Sequence, residues 1–189
     1  MRVERTQSFI TAEECTVLNS WVDEGVSKKW LDKGMDNFKL GYANRVTSRL
    51  YANRFVYPDI VRHISNKVRS YCGLDKYPLI TGHGRDGVVV SCTFTGGNVY
   101  AHRDPPSSEG LATLRCNILT RAAETGGVLH LEGAEFPLEV GELHCYLVSE
   151  HEHYVSEVAG ITSRVLWMFG AHVPKEDWNA GVIHFGGIK

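Results

Sequence analysis

The fold class this sequence predicts is mainly β, with two helices ahead of the strands, and three observations carry the prediction. Two stretches before residue 75 open with helix-start signals. From Gly82 onward, short runs rich in Val, Leu and aromatics alternate with turn signals, which points to a sandwich or a barrel, double-sheet jelly rolls among them. The length, 189 residues, suits one domain that buries about 70% of its unfolded surface.

Thr11, followed by Ala12, Glu13 and Glu14, reads as a capping box, so a helix is expected from there to about Asp23. Its apolar positions Cys15, Leu18, Trp21 and Val22 recur at helical spacing and give it one packing face. The stretch from Val26 to Asn44 carries Trp30, Met35, Phe38 and Tyr42 without a steady period. It is expected to be a structured loop with short helical turns. Pro58 and Asp59 open a second helix in which Ile60, Ile64 and Val68 repeat every four residues before Gly73 ends it. Around it lie Arg45, Arg49, Arg54, Arg62, Lys67 and Arg69, which are either a surface for an anionic partner or, as favoured here, a solvated helix face with intradomain pairs.

The β runs are Val88 to Thr95, Leu111 to Leu119, Val128 to Leu131, Glu142 to Val148, His153 to Val158 and Arg164 to Phe169. Gly96-Gly97, Gly126-Gly127, Glu132-Gly133 and Val140-Gly141 punctuate them. The expected organisation is a single domain over 1–189, with 1–78 as helical support, 79–172 as the jelly-roll core and 173–189 as a tail. Trp178, Val182, Ile183 and Phe185 of that tail either cover the barrel or join a second copy, and the oligomeric state stays open.

Charge is nearly balanced, 20 basic against 22 acidic residues, so nothing global steers the chain toward nucleic acid or an anionic membrane. No run approaches a membrane span, and Met1 to Gln7 has no apolar core of signal length. Five cysteines with no C-x-x-C pair read as reduced thiols, so a soluble, cytoplasmic protein is expected; Cys92, Cys116 and Cys145 lie in apolar runs as small core residues.

Chemistry concentrates in Thr93 to Pro106. His102 and Asp104, two apart on an extended segment, project from one face, and Pro105-Pro106 must end the strand beside them, leaving the carboxylate at a rim. Two His and one carboxylate on one face make the facial triad of non-haem Fe(II) oxygenases. The competing account is a surface turn in which Asp104 caps the Pro-Pro corner. Downstream, His151 and His153 both qualify as a second His, and alternation alone does not choose between them.

With His153, Val155, Val158, Gly160 and Arg164 following His102 and Asp104 in order, the chain resembles the Fe(II)- and 2-oxoglutarate-dependent oxygenases of the prolyl-hydroxylase type. The likeness runs from about Val88 to Phe169. It implies a double-stranded β-helix, the cupin-like jelly roll, and chooses His153 over His151, which becomes a neighbour or rim residue. It implies Fe(II) held by His102, Asp104 and His153, with 2-oxoglutarate and O2 as cosubstrates. Arg164 then fixes the distal carboxylate of 2-oxoglutarate, since a guanidinium fork matches a carboxylate and an inward Arg without an anion is costly to bury. The alternative for Arg164 is an exposed strand position.

Two departures from the family pattern stand out. Arg164 falls eleven positions after His153 where ten is commoner, so Gly160 to Thr162 is expected to carry an extra residue. Leu166 replaces a frequent Ser or Thr, so help for Arg164 must come from elsewhere, with Tyr100 and Thr113 as candidates. Tyr100, on the face of His102, and Arg115 and Asn117, which share a strand face, are further candidates for the cosubstrate pocket or, equally, satisfied structural polar groups. His63, His83, His130, His144, His172 and His184 are read as structural or surface residues.

The implied reaction is hydroxylation of an unactivated C–H bond, with succinate and CO2 as coproducts; Asp104 leaves no slot for a halide. The expected substrate is a small molecule such as an amino acid or metabolite. A peptidyl residue and a nucleobase are alternatives, and nucleic acid is disfavoured because no aromatic platform is interleaved with a basic stripe. Outside that class stand a cupin-like metal protein that does not use 2-oxoglutarate and a binding module without metal.

Overall fold

The computed structural model describes residues 1–29, 31, 44–51, 58–77, 85–106 and 110–186. Trp30, Met35, Phe38, Tyr42, Arg54 and His83 lie outside them. The elements run β1 (Glu4–Thr6), α1 (Ala12–Ser27), β2 (Arg45–Tyr51), α2 (Asp59–Tyr71), β3 (Arg85–Thr93), β4 (Val99–His102), β5 (Ala112–Arg121), β6 (Thr125–Gly126), β7 (Leu129–Leu131), β8 (Ala134–Phe136), β9 (Leu143–Leu147), β10 (His153–Val155), β11 (Val158–Ala159), β12 (Arg164–Val173) and α3 (Lys175–Asn179).

Thr11 caps α1 as expected: its hydroxyl accepts from Glu14 N at 3.1 Å while the Glu14 carboxylate accepts from Thr11 N at 2.8 Å. The helix continues one turn past Asp23, burying Gly25 as well as Cys15, Leu18, Trp21 and Val22. In α2 the buried stripe is Val61, Ile64 and Val68, with Ile60 at its edge.

Three antiparallel sheets follow: a six-stranded one ordered β1-β9-β5-β12-β3-β2, a four-stranded one ordered β4-β10-β7-β8, and the pair β11-β6. Beside its two helices the N-terminal stretch also supplies β1 and β2, which both join the large sheet. Val46 of β2 packs toward the helices while Arg45 takes the other face.

The two faces of the large sheet differ in kind. One face supplies Leu114, Cys116 and Ile118, Leu143, Cys145 and Leu147, and Val165, Trp167 and Phe169 to a core shared with Leu18, Trp21, Val22, Val61, Ile64 and Val68 of the helices. Trp21 and Trp167 meet there with ring centroids 5.7 Å apart. The alternate positions on the opposite face include Ser91, Thr93, Arg115, Asn117, His144 and Arg164. Leu129, Leu131, Val155 and Val99 of the small sheet pack with Tyr146 and Val148 in a second apolar cluster between the sheets. A polar inner face enclosed by a second sheet is what a ligand-holding jelly roll requires.

The tail covers the barrel's flank: Trp178 and Ile183 are buried, Arg2 stacks over the Trp178 ring at 4.4 Å and donates to the Ile183 carbonyl. The basic residues around α2 take intradomain partners, Lys67 donating to the Phe9 carbonyl, Arg69 to the carbonyls of Leu74 and Tyr77, and Arg62 pairing with Asp59. No helix among the described residues is long and apolar enough to cross a membrane.

Candidate active site

β4 ends on His102 because Pro105 and Pro106 cannot extend the ladder, and β10 begins on His153 directly across from it. Asp104 is anchored just beyond the strand, its backbone N–H donating to the Val148 carbonyl at 2.9 Å. The ligating atoms of His102, Asp104 and His153 lie within 4.8 Å of one another, with the two imidazole centroids 4.4 Å apart. Each imidazole has its Nδ1 against a backbone carbonyl two residues earlier, His102 on Tyr100 at 2.8 Å and His153 on His151 at 3.1 Å. A carbonyl only accepts, so Nδ1 carries the hydrogen and Nε2 presents its lone pair inward.

The spacing fits an ion. Cis ligands about 2.1 Å from a six-coordinate metal stand about 3 Å apart, and His102 Nε2 is 3.3 Å from Asp104 Oδ1. The Asp104 carboxylate is also approached by Arg115, whose Nε is 3.9 Å from Oδ2. Burial pushes that carboxyl up, but His102, Arg115 and His153 outweigh it and hold it below the usual range. Burial lowers His153, whereas in His102 it is overcome by Asp104 and the Tyr100 carbonyl, and the net shift is upward.

His151 goes elsewhere: its Nδ1 pairs with Glu132 Oε1 at 3.4 Å, and Glu132 also accepts from Glu152 N. Tyr100 stands beside His102, ring centroids 5.1 Å apart. Asn117 Nδ2 is 3.2 Å from Nε2 of His144, its cross-strand partner, deep in the barrel. His144 is fully buried, and burial, with Arg164 and Arg5 adding, pulls its imidazole down to about 3, so the ring is neutral.

Arg164 opens β12 on the inner face and is 3% exposed, which excludes the exposed-strand alternative. No carboxylate among the described residues pairs with it. Burial, with the charge of Arg45 adding, draws the guanidinium down to about 10. Thr93 is its direct cross-strand neighbour, and Arg45 follows in the same register on β2. Among the described residues the buried Thr93 hydroxyl has no hydrogen-bond partner, nor have Asn117 Oδ1 and His144 Nδ1. Thr113, expected beside Arg164, lies instead at the other end of the β5–β12 ladder, opposite His172, with its hydroxyl toward the Pro105 carbonyl.

Sequence reasoning missed Thr93 and Tyr146. Tyr146, 2% exposed, is the cross-strand partner of Arg115 and meets the His153 ring edge-on at 5.7 Å. It thus touches the three-ligand cluster and lies within electrostatic reach of Arg164. The signal that marks both residues is strand alternation: Thr93 is two after Ser91, and Tyr146 two after His144. The turn before Arg164 is held by Glu124, which accepts from Ile161 N and the Thr162 hydroxyl, each at 3.1 Å.

No family model and no curated protein matches this sequence. Solved structures do. A viral collagen prolyl hydroxylase from Paramecium bursaria Chlorella virus-1, in its 2OG complex, aligns with TM-score 0.61 at 17% identity over 93% of this chain and 97% of that one. A Pseudomonas putida prolyl-4-hydroxylase aligns with TM-score 0.61 at 12% identity over 90% and 92%. A prolyl hydroxylase from Trichoplax adhaerens, in complex with a hypoxia inducible factor oxygen degradation domain peptide fragment, aligns with TM-score 0.63 at 13% identity over 89% and 83%. The chain thus has the jelly-roll fold of these prolyl hydroxylases, with His102, Asp104 and His153 gathered in it as a possible metal centre.

Proposed function

We propose that this protein is an Fe(II)- and 2-oxoglutarate-dependent dioxygenase that hydroxylates an unactivated C–H bond, and that it works in the reducing cytoplasm, which its five free cysteines suit. The observation that carries the reading is Arg164: a guanidinium buried on the same inner face as the three-ligand cluster, with no carboxylate partner among the described residues, beside a Thr93 hydroxyl that also has no hydrogen-bond partner among them. Such a group is costly to bury unless an anion completes it.

His102 and His153 would hold the metal through Nε2, and Asp104 through its carboxylate, with Arg115 keeping that carboxylate turned inward. Iron, 2-oxoglutarate and O2, once bound, supply the oxidising power for hydroxylation, with succinate and CO2 as coproducts. Arg164 would take the distal carboxylate of 2-oxoglutarate as a fork, and Thr93 would donate its hydroxyl to the same group, the role that Leu166 leaves open. Tyr146 stands against His153, Tyr100 against His102 and Asn117 against His144. Leu129, Leu131 and Val155 form the apolar wall that excludes water.

The substrate we infer from the sequence is a small molecule. A second reading, a prolyl or other peptidyl residue, is favoured by the fold neighbours, one of them bound to a peptide fragment, and by Asp104 at a rim with 29% of its side chain exposed. Anaerobic addition of Fe(II) and then 2-oxoglutarate to metal-free protein tests the cofactor assignment. A visible charge-transfer band is expected, absent in His102→Ala and requiring far more 2-oxoglutarate in Arg164→Ala. A folded, iron-loaded protein without the band sinks the 2-oxoglutarate assignment. Succinate release stimulated by free amino acids or by proline-containing peptides then separates the two substrate readings.

A further inference from the structure

On the helix-facing side of the large sheet, away from the candidate active site, three thiols meet. Cys116 of β5 and Cys145 of β9 are direct cross-strand partners, and Cys72, which closes α2, comes down on them from the helix layer. Their Sγ atoms lie within 4.8 Å of one another, and all three residues are 0% exposed. A buried cysteine is ordinarily a small hydrophobe, an account that serves for Cys15 and Cys92.

It does not serve for the charge beside the cluster. Arg69 sits three residues before Cys72 on α2, hence on the same helix face, and acts electrostatically on Cys116. Its Nη2 is spent on the carbonyls of Leu74 and Tyr77 and its Nε faces Asp75 at 3.8 Å. Its Nη1 is buried with no hydrogen-bond partner among the described residues. A purely apolar core gains nothing from that edge of positive charge, whereas thiolate sulfur does.

We propose that Cys72, Cys116 and Cys145 form a closed binding site for one thiophilic d10 metal ion, with three-coordinate Cu(I) as the best match. A trigonal ion with bonds of about 2.3 Å keeps its sulfurs about 4 Å apart, so the cluster needs to tighten by less than about 1 Å. No His or carboxylate among the described residues joins the three sulfurs. Structural Zn(II) takes four ligands, whereas an all-thiolate set selects soft ions such as Cu(I). Three thiolates about a monovalent ion leave an excess of negative charge, which Arg69 offsets. The site stands independently of the dioxygenase reading, since none of its residues belongs to the inner face.

The test is an anaerobic titration of the reduced full chain with Cu(I) against a chromophoric Cu(I) chelator, Zn(II) in parallel, followed by X-ray absorption of the bound metal. One ion per chain, three sulfur neighbours at about 2.2–2.3 Å, and at least a hundredfold loss of affinity in Cys116→Ser with Cys92→Ser unchanged are expected. His102→Ala should load equally. Zn(II) in the same three-sulfur shell also supports the site. Failure of the folded wild type to hold the ion, nitrogen or oxygen neighbours alone, loss of uptake in His102→Ala, or equal losses in Cys92→Ser and Cys116→Ser overturns it. Cys72→Ala, at the helix end, carries the same expectation as Cys116→Ser, and if both variants unfold the sulfur shell of the wild type decides.

Discussion

Arg164→Met separates a cation held for an external anion from one satisfied within the chain. In the ligand-free protein the 3%-exposed guanidinium has no carboxylate partner among the described residues. Replacing such a buried charge by an apolar side chain of similar length stabilises by about 1–4 kcal/mol, and for a chain of this size each kcal/mol is worth about 2–4 °C. The ligand-free variant should therefore melt several degrees above wild type. With Mn(II) and 2-oxoglutarate at one hundred times its Kd, the wild type should gain about 2.7 kcal/mol, or about 5–11 °C. Loss of the forked carboxylate contact costs about 2–5 kcal/mol, an about 30- to 4000-fold weaker Kd at about 1.4 kcal/mol per decade. At the same concentration the variant should then gain less than about 0.9 kcal/mol. Paired melts with and without 2-oxoglutarate read both numbers. A variant that is less stable alone yet keeps the full 2-oxoglutarate shift refutes the reasoning, because Arg164 would then be serving the fold.

Thr93→Val should leave stability within about 0.5 kcal/mol, since the hydroxyl has no partner to lose among the described residues. It should raise the KM for 2-oxoglutarate about 10- to 150-fold by removing one hydrogen bond to a charged group, with kcat unchanged; steady-state kinetics check it. His153→Ala should abolish iron uptake measured by titration, whereas His151→Ala, which loses only the Glu132 contact, should retain it. Gly126→Ala should destabilise by at least about 1 kcal/mol in denaturant melts, because Gly126 has φ +67° and a Cβ there would strike the Glu157 carbonyl oxygen.

The helices, the β core and the three-ligand cluster were legible because each rests on a local pattern: a capping box, a two-residue alternation, a pair of prolines that ends a strand. The strand Arg45–Tyr51 was not, and the reason is physical. Its alternation sets Arg45 and Thr47 against Val46, which in a single sequence looks like a solvated edge. Arg45 instead faces the barrel interior, donating to the Ser91 hydroxyl at 2.7 Å. The same disguise covered Thr93 and Tyr146, since a polar strand face reads as water-facing even where a second sheet covers it. Thr113 failed as the helper of Arg164 because register, which single-sequence alternation does not encode, places Thr93 there.

That two-faced sheet also explains how one small domain keeps apart two groups of side chains that could each hold a metal ion. Arg115 and Asn117 flank Cys116 on β5, and His144 and Tyr146 flank Cys145 on β9, so each strand sends alternate residues to opposite sides. The inner residues support carboxylate and imidazole ligands suited to an open site with exchangeable positions. The outer residues offer only sulfur, packed under α2 where no exchangeable ligand can enter. A one-residue slip of β5 against β9 would send Arg115 and Tyr146 into the apolar layer and the thiols into the pocket, so burial of both faces fixes the register on which both groups depend.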